Sequence, residues 1–136
     1  MNTRLGKTAP GSRPAVATYA RFGVALLSGL FALCVAAQVF LAGLALFRDA
    51  AQWATHAAFG YAIGLIPALL LLLSYPAGLP GKTKVKCALL LVLVLLVFIS
   101  AIFAADIGYM AAVHPVIALG LFLNAVLVMR ESLTKY

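Results

Sequence analysis

Residues 82–106 read KTKVKCALLLVLVLLVFISAIFAAD. Lys82, Lys84 and Lys86 open the stretch, Asp106 closes it, and nothing between Cys87 and Ala105 is charged. At about 1.5 Å per residue, an apolar helix of this length crosses the ~30 Å hydrocarbon layer of a bilayer. A helix also pairs its own backbone N–H and C=O groups, which water cannot do inside lipid. The stretch therefore predicts a membrane span over about 85–105. The same pattern recurs in the runs Phe22 to Phe47, Trp53 to Tyr75, and about Ala111 to Met129. Breaks separate them: Arg48, Asp49 and Gln52; the cluster Pro76-Ala-Gly-Leu-Pro80-Gly81; and Asp106 to Gly108. The expected fold is all-α, a polytopic membrane protein built as an antiparallel four-transmembrane-helix bundle. Residues 1–19 read as a disordered cytoplasmic tail, 20–130 as the transmembrane domain and 131–136 as a second cytoplasmic tail.

Composition leaves little room for another class. The 136 residues are 65% hydrophobic and only 10% charged, whereas a soluble domain needs about a quarter of its residues charged. The net charge of +7 does not indicate nucleic acid. The basic residues flank apolar runs, and no basic stripe with interleaved aromatics is present. The bilayer is the expected partner instead. Four Lys or Arg precede or open the first span, three lie in the central loop and two follow the last, against Arg48 alone on the other side. That asymmetry places both termini and the central loop in the cytoplasm. Trp53 and Tyr109 fall where an outer aromatic belt belongs, and Tyr19, Phe22 and Tyr75 suit the inner one. The competing reading makes the first run a cleaved signal peptide, with Arg21 as its charged region and Val35-Ala36-Ala37 as its cleavage site. Apolar sequence continuing from Gln38 to Phe47 favours a retained span. Cys34 and Cys87 lie in or beside apolar runs, with no loop partners for a disulfide or zinc framework, and read as small buried residues.

Ionisable groups inside a membrane are costly, so each calls for a functional reading. No Asp, Glu, Lys or Arg lies near the middle of any span, which counts against a proton pump or an ion-coupled transporter. His56, His114 and the amide of Gln38 remain. The chain reads as two helical hairpins, each with an outgoing span, a short outer loop and a returning span with a histidine about one turn inside. Two facing neutral imidazoles can hold a haem iron from opposite sides. The second span continues His56-x-x-x-Gly60-x-x-x-Gly64 and the fourth His114-x-x-x-Ala118. Small residues one turn below each histidine would leave a slot for a flat macrocycle, and Pro115 removes one backbone bond beside His114. The plainer readings are that the histidines face headgroups or water, that Gly60 and Gly64 form a helix-packing motif, and that Gln38 bonds a neighbouring helix. A smaller alternative is a copper site of Met110, His114 and His56.

The stretch Gln38-Val-Phe-Leu-Ala-Gly43, followed after a short loop by Thr55-His56-Ala-Ala-Phe-Gly60, resembles half of the haem A synthase family. Members contain four-helix bundles with a histidine on the second and fourth helix of each, ligating haem b or the substrate haem. The resemblance spans roughly residues 36–129 and implies that His56 and His114 occupy those ligand positions. The pattern is also similar to that of small four-span bacterial membrane proteins, which implies a bacterial inner (cytoplasmic) membrane. The chain departs from the synthase in having one bundle rather than two. The glutamate expected before the second-helix histidine is absent, with Gln52 and Trp53 nearby instead, and so is the cysteine pair of an outer loop. The haem arrangement is carried over and the synthase reaction is not.

The expected function is a membrane b-type haem-binding protein, cytochrome-like, acting in electron transfer or haem handling; a non-catalytic role is favoured and an enzymatic one is left open. His56, His114, Gly60, Gly64, Ala118 and Gln38 form the expected haem b site, the two histidines being the axial ligands. A redox or membrane-protein partner and self-association are both compatible with such a bundle. The alternative is a cofactor-free structural or accessory subunit. A dimeric transporter is weaker, for want of a mid-membrane charge.

Overall fold

A computed structural model describes residues 15–134. Its elements are α1 (Ala15–Phe47), α2 (Gln52–Ile63), α3 (Ile66–Ser74), α4 (Gly81–Ile102), the single turn α5 (Ala104–Ile107), a 3₁₀ turn (Gly108–Ala112) and α6 (Val113–Leu133). No strand occurs among the described residues. The helices group into four apolar stretches long enough to cross a membrane: Ala15–Phe47, Gln52–Ser74, Gly81–Ile102 and Ala104–Leu133.

The element boundaries differ from the expectation at several points, each with a local cause. The first helix begins at Ala15, so residues 15–19 are helical rather than tail; residues 1–14 lie outside the described residues. With 33 residues, α1 is ~50 Å long and exceeds the hydrocarbon thickness. The last helix runs on to Leu133, taking Glu131 to Leu133 out of the expected tail. The second span is two helices rather than one. Pro67 has no N–H to offer the carbonyl of Ile63, and its ring crowds that carbonyl, so the helix breaks at Gly64 and Leu65. In place of the expected loop over 106–110, α5 and the 3₁₀ turn join α4 to α6, with Gly108 between them at φ +57°, a backbone region open to glycine.

Around the bundle, α1 packs on α6, α6 on α4, α4 on α3, and both α2 and α3 on α1. The ring order is therefore α1, α2/α3, α4, α6, with the second and fourth spans diagonal to one another. The densest packing lies toward the α3–α4 turn. Val24, Phe31, Leu70, Cys87, Leu90, Ala125 and Val128 are almost wholly buried there, and Ala77 and Leu79 tuck the turn beneath them. Cys87 is buried as a core thiol, while Cys34 is half-buried. In lipid, close van der Waals packing of this kind is the main attraction between helices.

Polar contacts tie the same end together. Arg21 Nε and Nη2 donate to the Ser132 and Thr134 carbonyls at 3.5 and 3.1 Å, joining α1 to the end of α6. The Glu131 carboxylate accepts from Thr83 Oγ1 at 2.8 Å and pairs with Lys86. Asn124 Nδ2 donates to the Lys86 carbonyl at 2.8 Å.

Candidate cofactor site

The opposite end is built loosely. α2 buries no residue and approaches neither α4 nor α6 as closely as its neighbours do. Packed helices normally lie about 8–10 Å apart, so a wider gap leaves a cavity. That cavity, ≈ 210 Å³, is lined by all four spans, and both histidines reach it.

His56 lies in the second turn of α2 and His114 at the start of α6, on the diagonal pair of spans. Their ring centroids are 6.4 Å apart and their planes inclined at 51°. Each ring is held by its Nδ1 edge. His56 Nδ1 donates to the Gln38 carbonyl at 3.1 Å, and the Trp53 ring meets it edge-on at 5.6 Å. His114 Nδ1 lies 3.0 Å from Ser100 Oγ. The single hydroxyl hydrogen of Ser100 is given to the Val97 carbonyl at 2.8 Å, so Oγ accepts from His114. Nδ1 is thus the donor in both rings, which in a neutral imidazole leaves the lone pair on Nε2. Metal-binding histidines are oriented in this manner, by a carbonyl or another acceptor on the second nitrogen.

The distance fits a shared iron. With metal–nitrogen bonds of about 2 Å and about 1 Å from nitrogen to ring centre, two ligands on opposite faces of one metal have centroids ~6 Å apart. Space for the macrocycle is less complete. A dry cavity of about 150 Å³ accepts benzene, so ≈ 210 Å³ takes part of a porphyrin, and the remainder must extend beyond the cavity.

Of the other expected residues, Gln38, Gly60 and Ala118 line the cavity, while Gly64 lies just outside it. The slots beneath His56 are filled by neighbours. A Cβ on Gly60 would fall 2.6 Å from Gln38 Nε2, and one on Gly64 would fall 2.8 Å from the Phe98 ring. Gln38 Oε1 is buried and accepts no hydrogen bond from any described residue, so moving the amide breaks no bond at that atom. Met110, on the 3₁₀ turn, is exposed and does not line the cavity. Among the described residues no group of three or more His, Cys, Asp or Glu is placed to hold a metal ion.

Sequence reasoning missed three residues. Ser100 orients His114, while Tyr61 and Phe98 stack at 5.6 Å across α2 and α4. Ser100 carried a signal, being the lone hydroxyl between Cys87 and Ala105, where a polar group in lipid needs a partner. Nothing distinguished Tyr61 or Phe98 from other apolar residues.

Residues 38–105 match the model of a family described as "Family of unknown function (DUF6220)". No curated protein and no solved structure matches the chain.

Proposed function

The chain belongs to the family of unknown function DUF6220, and from its own residues we propose that it is a membrane b-type haem protein. His56 and His114 would hold the haem iron, and the role would be electron transfer or haem handling, as in a small cytochrome. One observation carries the reading: two imidazoles whose Nδ1 atoms are bonded to protein acceptors reach one cavity with centroids 6.4 Å apart. A bound haem supplies a one-electron ferric/ferrous couple. The chain's part is to present two neutral imidazoles, to hold their tautomers through the Gln38 carbonyl and Ser100 Oγ, and to surround the macrocycle with apolar walls. Likeness to one bundle of the haem A synthase family supports the same ligand pair.

The basic end, with Arg21, Lys82, Lys84, Lys86 and Arg130, belongs in the cytoplasm by the Lys/Arg asymmetry, and the resemblance to small four-span bacterial proteins points to a bacterial inner membrane. The site then sits toward the extracytoplasmic face, within reach of a redox partner there. A cofactor-free accessory role is the second reading. It draws on the Gln38 amide over Gly60 and the Phe98 ring on Gly64, which fill space that a macrocycle would need.

The test is the absorption spectrum of protein purified from haem-sufficient cells. A low-spin spectrum with a sharp reduced α band is expected, lost in His56→Ala and in His114→Ala while both variants remain folded. A wild-type protein without Soret absorbance that takes up no added haemin would refute the haem reading and leave the accessory role.

A further inference from the structure

We infer that the seam between α2 and α4 is the portal through which the cofactor loads laterally from the bilayer, with Tyr61 and Phe98 stacked across it as a gate. The inference rests on the haem reading and adds the route and the phase from which the ligand arrives.

The first ground is where the bundle is closed. Helix packing seals the α1–α6, α4–α6 and α1–α2 seams, and α3 packs on α4. Among the described residues the α2–α4 seam has no comparable close approach of helix to helix and is covered by side chains alone, although α3, the continuation of α2, packs directly on α4. The break at Gly64, Leu65 and Pro67 separates the half of the span that packs on α4 from the half that does not. The second ground is which lining residues also reach the outside. Six lining residues are also exposed: Ala57 and Tyr61 on α2, Ala101 and Ile102 on α4, Val39 on α1 and Pro115 on α6. Four of the six flank the α2–α4 seam, two from either side. The antiparallel register, set by Tyr61 opposite Phe98, brings Ala57 opposite Ala101 and Ile102 one turn nearer the histidines.

The third ground is the nature of the closure. Tyr61 and Phe98 stack with an interplanar angle of 15°, and the Phe98 ring lies on the bare backbone of Gly64. No hydrogen bond or ion pair spans the seam among the described residues. Two aromatic rings can swing aside by side-chain rotation without disturbing the backbone, which a helix–helix interface cannot do. Haem is amphiphilic: its flat ring partitions into lipid while its two propionates stay toward the headgroups. A lateral portal receives it there and spares it a passage through water.

The test uses the full-length protein in lipid vesicles, with Cys34→Ser and Cys87→Ala as background. Tyr61→Cys with Phe98→Cys, or independently Ala57→Cys with Ala101→Cys, supplies a pair that a short bifunctional maleimide joins across the seam. Haemin is added to the vesicle bilayer. Uptake is read from the Soret band and from quenching of Trp53, the chain's single tryptophan, which touches the ring of His56. Each unlinked pair sets its own reference rate, and the unlinked Tyr61→Cys/Phe98→Cys pair, with the gate removed, loads faster than the background protein. Linked before haemin is added, they lose uptake; linked afterwards, they retain haem against a soluble scavenger. Linked protein that loads at the unlinked rate overturns the lateral portal and leaves the haem site standing. A background protein that takes up no haemin overturns both.

Discussion

Ser100→Ala removes one oxygen atom and separates the haem reading from a purely structural one. In the native arrangement Ser100 Oγ accepts from His114 Nδ1 at 3.0 Å while donating to the Val97 carbonyl at 2.8 Å. Val97 lies within α4 and keeps its place in the helix without the serine, so the loss falls on His114. Its N–H is left without that acceptor, and the ring is free to turn its Nε2 away from the cavity. Deleting such a partner of a metal ligand typically lowers affinity 10–100-fold, about 1.4–2.8 kcal/mol. Ser28→Ala is the matched control: Ser28 is equally buried and donates only to carbonyls of its own helix, at 2.7 and 3.1 Å. The assay is haemin titration of the two variants and wild type, followed at the Soret band, with the reduced α band reporting the low-spin state. Ser100→Ala is expected to bind more weakly and show a high-spin fraction, while Ser28→Ala matches wild type. If both variants titrate like wild type, Ser100 does not orient a ligand and His114 is not held for iron.

Three further outcomes are expected. Gly64→Ala brings a Cβ to 2.8 Å from two atoms of the Phe98 ring; rotation of that ring relieves the clash, so the cost should stay at about 1 kcal/mol, the low end for overpacking. Gly23→Ala, with open space around it, should be neutral, and thermal unfolding in detergent compares the two. Arg21→Leu deprives the Ser132 and Thr134 carbonyls of the Arg21 hydrogen bonds. It should lower stability by about 1–3 kcal/mol without altering the haem spectrum, because the site lies at the other end; a lost α band would contradict that separation. For topology, Lys82→Cys and Asp49→Cys are suitable reporters, both positions being exposed, whereas Thr83 and Ser132 are buried. An impermeant thiol reagent added outside intact cells should label only the cysteine at 49, and labelling at 82 would reverse the proposed orientation.

The four spans were legible because a bilayer imposes a length and an apolarity that any single stretch reveals on its own. The run from Cys87 to Ala105 needs no knowledge of its neighbours to be read as a span. The pairing of His56 with His114 was legible for a related reason, since antiparallel short-loop connectivity brings the starts of the second and fourth spans to one end. The proline at 67 was visible too, yet not its consequence. That it splits the span into a half packed on α4 and a half standing away from it depends on where α4 lies. The same holds for Ser100, whose hydroxyl acquires a role only when α6 brings a histidine within 3.0 Å, and for Gln38, whose amide fills the space that Gly60 leaves open. Tyr61 and Phe98 carried no signal at all, because aromatic residues are common in every lipid-facing run. Local rules of length, charge and backbone satisfaction act along the chain and can be read from it. Contacts between diagonal helices depend on tilt and rotation, which are set by the packing of all four spans together, and only the tertiary structure contains them.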